Sequence, residues 1–333
     1  MRDRIEAVIR CYFDHPAVDM DDVPFGLTNV TRIVTVGGQR YVVRLYNRHT
    51  KSAARMALEI DMTSYLDQSS LSVGVPVFLR TREGGYYAEL PDGTLGAMTT
   101  FLEGTVPAIA DADQAEAYGR VVGEMVRMLG SFSVDERRHT GVSFLDWAAL
   151  HPLANHDTAE RFLNDPPFAI APDAVAFYRN AVTGLVNKKE QLLRLPRQFV
   201  HHDILIFNLL AVDNRISGVL DFDLASLDVR MMEFSISLNH VLQLSGGSMA
   251  MAEAFVKGYA AFHSLTELEL DQLQALTQAY HVAVLHFYIG QHHAGQDVEQ
   301  PFGYILEQFM TRDAWLDLHG TELRKLLSSC VVQ

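Results

Sequence analysis

His201-His202-Asp203-Ile204-Leu205-Ile206-Phe207-Asn208, followed downstream by Leu220-Asp221-Phe222-Asp223, sets an Asp and an Asn five residues apart and a second Asp thirteen residues after the Asn. Phosphoryl transfer from a nucleotide needs these group types. One carboxylate orients the acceptor hydroxyl and takes its proton, while an amide oxygen and a second carboxylate hold magnesium. Asp203 is the candidate for the first task. Asn208 and Asp221 are candidates for the second, because magnesium prefers oxygen ligands and keeps several from water and phosphate. Asp223 shares a strand face with Asp221 if the strand continues, as a further ligand or a partner of the ligands. The plain alternatives are a turn-capping Asp and a solvated strand end. The spacing, the preceding His and the downstream D-x-D together weigh against them. His201 is expected to brace the loop rather than do chemistry. A metal-dependent phosphohydrolase is a different reading, with His202-Asp203 as a His–Asp metal pair. That pair usually sits on a helix with further His ligands, whereas the flanks Gln198–Val200 and Leu209–Val212 read as strands.

These groups need elements to position them. Ile5, Val8, Ile9 and Tyr12 recur at helical spacing, so the chain opens with an amphipathic helix. Thr31–Val36 and Gln39–Tyr46 are β-rich runs around Gly37-Gly38, a hairpin. Lys51–Leu66 returns to helical spacing. Val75–Arg82, Tyr86–Leu90 and Leu95–Leu102 read as strands separated by turns at Gly84-Gly85 and Asp92-Gly93. Glu103–Pro107 reads as a linker, and from Ala112 the pattern is mostly helical, with Ala117–Met128 clearest. The exception is Gln198–Asp223, where two β-runs flank a turn at Asp213-Asn214. The fold class is α+β, with a small β-rich N-terminal lobe over residues 1–103 and a larger, mostly helical lobe over 104–333.

Further charges complete a nucleotide site. Alternation in Tyr41–Tyr46 puts Arg44 opposite Val43 and Leu45, where a cation can hold phosphate oxygens. Glu59, on the next helix, is its expected ion-pair partner. The loop Pro24–Val30 is expected to cover phosphates through backbone N–H groups and the side chains of Thr28 and Asn29. Phe101, within Thr100–Gly104, marks where an adenine would meet backbone donors and acceptors. His281, His286, His292 and His293 show no metal-ligand spacing. Tyr288, Gln291 and His292 are instead candidates for lining an acceptor pocket.

Composition narrows the classes. Hydrophobic residues make up 48% of the 333 residues, enough for a packed core. A net charge of −14 provides no basic stripe for nucleic acid and no polybasic membrane anchor. Only Cys11 and Cys330 are present, so no disulfide framework follows, and a reducing cytoplasm is the expected location. The charged N-terminal residues lack the apolar core of a signal peptide. No apolar run approaches the about 18 residues of a membrane helix.

The chain resembles the aminoglycoside phosphotransferase / choline kinase family, which shares the protein-kinase fold. Phe199-Val200-His201-His202-Asp203 resembles that family's catalytic loop, usually V-x-H-G-D. Gly218–Asp223 resembles its metal strand, and Tyr41–Tyr46 its phosphate-contacting strand. Ser226–Asn239 is most similar to the bacterial homoserine kinases of this fold. The resemblance implies an ATP- and magnesium-dependent kinase acting on a small-molecule alcohol. Homoserine or a related amino alcohol is the first expectation, and an aminoglycoside or choline-type alcohol the next. It also implies that Glu233 braces the catalytic loop through hydrogen bonds. His202 replaces the usual small residue, which reshapes the loop or narrows the acceptor pocket. A kinase-fold protein that binds without turnover is the remaining alternative, and the full set of polar groups argues against it.

Overall fold

The computed structural model describes residues 1–14, 18–22, 28–134 and 141–331. The first elements are α1 (Arg2–Arg10), β1 (Val18–Asp22), β2 (Val30–Val36), β3 (Gln39–Leu45), α2 (Ala53–Asp67), β4 (Ala88–Glu89) and β5 (Leu95–Thr100). The strands form one antiparallel sheet in the order β1-β2-β3-β5-β4. The β2–β3 hairpin turns at Gly37-Gly38, as expected, and both glycines have positive φ. Val43 and Leu45 pack with Ile5, Val8 and Ile9 of α1 in a small core. Alternation therefore leaves Arg44 on the opposite face, paired across from Thr31 and Ala97.

Three differences from the sequence reading have simple causes. β1 was not foreseen, because three acidic residues in Val18-Asp19-Met20-Asp21-Asp22 disguise it. It is an edge strand, with Val18 and Met20 packed on the small core and Asp19 and Asp21 exposed, and edges tolerate charge. Val75–Arg82 is not a full strand. It lies along β5 through an isolated Phe78–Thr99 bridge, with the Leu79 N–H donating to Met98 and the Thr100 N–H to Val77. Pro76 has no N–H to extend this ladder, and Tyr86–Leu90 shortens to Ala88–Glu89. The expected strand through Asp223 ends early: the strand Arg215–Val219 stops short of it, and Asp221 adopts φ 64°.

The rest is mostly helical. It runs through α3 (Ala112–Ser131), α4 (His156–Asn164), α5 (Pro172–Leu192), β6 (Arg197–Val200), β7 (Leu209–Val212), β8 (Arg215–Val219) and β9 (Ser226–Val229). It ends with α6 (Met231–Leu244), α7 (Met249–Ala260), α8 (Glu267–Leu270), α9 (Leu273–His293) and α10 (Glu299–Val331). The β7–β8 hairpin turns at Asp213-Asn214, as expected, and β6 pairs antiparallel with β9. Helices α3 and α7 touch backbone to backbone. A Cβ on Gly119 would lie 1.9 Å from the Phe255 carbonyl oxygen, and one on Gly258 would lie 2.0 Å from that of Glu116. The two regions join where Gly74 bridges Gly218 and Thr105 bridges Ala211. At this junction Gly104 has φ 136°, and a Cβ there would meet the Ala211 carbonyl at 2.9 Å. Among the described residues, no helix is long and apolar enough to cross a membrane.

The helical core holds several buried neutral imidazoles. Burial lowers His201, His240, His281 and His286 to about 4. Unfolding exposes each to water, where its pKa returns to about 6.5. The unfolded chain therefore binds more protons between these values, and stability falls as pH drops from about 6.5 toward 4. The expected loss by pH 5 is on the order of 1–2 kcal/mol per histidine. Urea midpoints at pH 7.5, 6 and 5 check this, and a midpoint independent of pH in that window would contradict it.

Candidate active site

The segment 201–208 leaves β6 and enters β7, so two paired strands fix both of its ends. Inside it, the Asn208 amide donates to the Asp203 carboxylate at 2.7 Å and to the Asp203 carbonyl at 3.0 Å. This clamp holds the Asp203 side chain toward the cleft and orients Asn208 at the same time. The His201 ring contacts the Leu220 carbonyl at 3.1 Å and meets the Phe222 ring edge-on. Leu220 in turn donates its N–H to the Asn208 carbonyl. The neutral His201 thus ties the Asp203 loop to the segment carrying Asp221, a bracing position, as expected. Burial, followed by the charge of Asp221, pushes the Asp203 carboxyl well above the usual range.

His202 turns inward. It has φ 70°, is fully buried, and stacks on Phe144 with ring centroids 4.1 Å apart. One ring nitrogen reaches the Leu224 carbonyl at 3.0 Å and the other the Asp228 carboxylate at 2.9 Å. Both ring nitrogens are thus engaged by the protein. Burial raises the Asp228 carboxyl, but hydrogen bonds from His202 and Ser143 outweigh it and hold it low. Glu233 accepts from the His202 N–H at 2.7 Å and the Ile204 N–H at 3.3 Å, the expected brace. His202 therefore neither narrows a pocket nor has a nitrogen left for metal, and the His–Asp metal pair of the hydrolase reading does not form.

The β-sheet region supplies the cations. Arg44 donates to Asp221 at 2.8 Å and lies 3.9 Å from Glu59. Burial alone would lower its guanidinium pKa, and the charges of Asp221, Glu59 and Asp223 raise it instead. The closest partner of Glu59 is not Arg44 but Lys51, which the sequence reading missed. The Lys51 ammonium is buried between Glu59 and Asp223, 2.7 Å from the latter. Burial opposes its charge, and the two carboxylates restore it and raise its pKa. Burial also pushes Asp223 up, but Lys51 and Asn29 reverse the direction and hold it low. Lys51 is fixed because Ser52 caps α2 immediately after it, accepting from the Arg55 N–H.

Thr28, Asn29, Thr50, Asp203, Asp221 and Asp223 line one cleft of about 420 Å³. Asn29 donates to Asp223 at 2.9 Å and accepts from the Asn47 N–H at 2.9 Å. Pro24–Leu27, the rest of the expected phosphate-covering loop, lies outside the described residues. Thr50 was also missed. Its hydroxyl is buried without a hydrogen-bond partner among the described residues. Phe101 does not line the cleft, and Arg40 covers its ring at 4.0 Å. Gln291 accepts from Asn47 at 3.1 Å, tying α9 to the sheet region, and His292 packs edge-on against Phe162. Of the three acceptor-pocket candidates, Tyr288 lies within electrostatic reach of Asp203.

The donor set fits magnesium. Among the described residues no hydrogen bond occupies the Asn208 amide oxygen or the second Asp221 oxygen, and hard oxygen donors are what this ion takes. Both Asp223 oxygens already serve Lys51 and Asn29, so only their remaining lone pairs are free for metal.

A model of the phosphotransferase enzyme family matches residues 22–275. Over 246 residues the chain is 24% identical to a homoserine kinase of Zymomonas mobilis subsp. mobilis, spanning 73% of this chain and 72% of the relative. Its fold is similar to that of a microcompartment-associated aminopropanol kinase, with TM-score 0.72 and 15% identity over 97% of this chain and 98% of the other. It is also similar to the amicoumacin kinase hAmiN in complex with AMP-PNP, Ca2+ and Ami. There the TM-score is 0.66 and the identity 17%, over 90% and 88% of the two chains. The fold is thus protein-kinase-like, with an antiparallel N-terminal sheet and a mostly helical C-terminal part.

Removing Lys51 leaves two buried carboxylates facing each other. Lys51→Met is expected to destabilise the protein by about 3–5 kcal/mol, the usual cost of breaking a buried pair. Adding Glu59→Gln to it should recover much of that loss. Denaturant titration of the three proteins checks the pairing, and a Lys51→Met midpoint equal to wild type would contradict it.

Proposed function

Since the chain belongs to the phosphotransferase enzyme family, we propose that it transfers the γ-phosphoryl group of ATP to the hydroxyl of a small metabolite, homoserine or a related amino alcohol. The observation that carries this reading is the meeting of Asp203, Asn208 and Asp221 with Arg44 and Lys51, groups from both halves of the chain, around one cleft. We divide the two lobes at residues 103 and 104, beside the Gly104 contact with Ala211.

In this reading Asp203 accepts the hydrogen bond of the acceptor hydroxyl and takes its proton as the new O–P bond forms. The bond from the γ-phosphorus to the ADP oxygen breaks in the same event. The high pKa of Asp203 makes it a better base than a solvated carboxylate once ionised. Asn208 holds Asp203 in one rotamer with its amide N–H2, which leaves its amide oxygen free. Asn208 and Asp221 would hold magnesium, which would supply charge neutralisation on the phosphates. Arg44 binds phosphate oxygens and leaves Asp221 as it does so. Lys51 keeps Asp223 and Glu59 charged and fixed, and the Thr28, Asn29 and Thr50 side chains offer hydrogen bonds to phosphate.

Homoserine as acceptor draws support from the Zymomonas relative, and an amino alcohol from the aminopropanol kinase. A coupled assay with ATP and magnesium over a panel of small alcohols tests the reading. Turnover is expected with at least one amino alcohol. Asp203→Asn should lower kcat by about 10²–10⁴-fold, the range for a general base, with the ATP KM little changed. An Asp203→Asn enzyme with wild-type kcat, or no transfer to any alcohol, would contradict it.

A further inference from the structure

A second recess, of about 260 Å³, lies where α6, α9 and α10 meet the Asp203 loop, lined by Leu205, Asn239, His240, Tyr280, Gln308 and Arg312 among others. Arg312 is only 5% exposed. Among the described residues it has no ion-pair or hydrogen-bond partner, and its guanidinium lies 5.6 Å from the Trp315 ring centroid. Burial with nothing to oppose it lowers the guanidinium to about 10. A buried arginine without a counter-charge is costly and rare unless something anionic joins it. His240 repeats the pattern in the same recess. It is 6% exposed, and among the described residues its Nε2 has no hydrogen-bond partner and no carboxylate lines the recess to satisfy either group.

The recess backs onto the catalytic loop. Leu205 follows Asp203 by two residues, and the Phe207 ring meets His240 edge-on at 5.8 Å. Tyr280, on its wall, lies within the field of the Asp203 carboxylate. Resting on the kinase reading above, we propose that Arg312 and His240 bind the carboxylate of the acceptor, so that the substrate class is hydroxylated amino acids. A cationic recess without acidic groups repels the polyamines of an aminoglycoside or a choline-type amine.

Trp315 supplies the readout, since it lies over Arg312. Trp147→Phe removes the other tryptophan, leaving Trp315 as sole emitter. This protein is titrated with L-homoserine, L-threonine and L-serine, and with 3-aminopropan-1-ol, 1-aminopropan-2-ol and ethanolamine, the same molecules without the carboxylate. A saturable change in Trp315 emission is expected with at least one amino acid and with none of the amines. Arg312→Met should abolish it and Arg312→Lys retain part. Steady-state assays should show the KM for the responding amino acid raised at least about 30-fold by Arg312→Met, with kcat and the ATP KM within a few-fold. Arg312→Met removes an unpaired buried charge, so its thermal midpoint should not fall, and this separates binding from folding. No response to any amino acid, equal responses to an amino acid and its amine, or a response that survives Arg312→Met would overturn the proposal. Transfer to the amines with Arg312→Met kinetically silent would overturn it and leave the kinase reading intact. An Arg312-dependent response without phosphoryl transfer to any alcohol would sink the kinase reading and leave the recess standing.

Discussion

The arrangement depends on charge pairing between the sheet region and the segment after β8. Arg44 and Lys51 face Glu59, Asp221 and Asp223, with Lys51 and Glu59 buried and Asp221 at the half-exposed edge of the network. Three carboxylates so close would repel one another strongly at low dielectric. The two cations hold them in place and fix the N-terminal sheet over the helical part at the cleft. The network leaves one excess negative charge, the sign a divalent cation complements. In the proposed function Arg44 leaves Asp221 for phosphate once the carboxylate has a metal as partner, while Lys51 stays with Asp223 and Glu59. One set of side chains would then serve both the folded geometry and the binding of a polyanion.

A second polar network, behind the cleft, sets the posture of Asp203. His202, Asp228, Ser143 and Glu233, all buried, are joined by hydrogen bonds: Ser143 donates to Asp228, the His202 ring meets Asp228, and the His202 and Ile204 N–H groups donate to Glu233. Such a network rigidifies when satisfied throughout. It holds His202 in a left-handed backbone conformation that a bulky residue rarely adopts. A glycine would take that conformation without strain. Here the imidazole compensates by anchoring the turn through both of its nitrogens. The substitution changes how the loop is supported and leaves Asp203, Asn208 and the cleft in place.

Much of this was legible because it was local or periodic. The Asp203–Asn208 spacing is one turn of loop. Arg44 declares itself by standing out of phase with Val43 and Leu45. Both hairpins carry turn residues with positive φ. What was hidden depends on contacts distant in sequence. Lys51 sits in a polar run, Asn47-Arg48-His49-Thr50-Lys51, with nothing periodic to mark it. Its partner Asp223 is 172 residues away. Glu59 lies beside Arg44, yet its closest cation, Lys51, could not be chosen by order along the chain. Pro76 did carry a readable signal against a full Val75–Arg82 strand. Arg312 carried another, since it lies on the stripe of α10 that buries Phe309 and Leu316. A cation on an apolar stripe asks for a partner, and only the folded chain reveals that none is there among the described residues.

The central claim is that these paired charges open onto a metal–triphosphate, and calorimetric titration with ATP tests it most directly. Wild-type protein should bind ATP tightly with magnesium present and at least tenfold more weakly in excess EDTA. Asp221→Asn should erase that difference. ATP binding of equal strength with and without magnesium, or a magnesium effect undiminished in Asp221→Asn, would contradict the account.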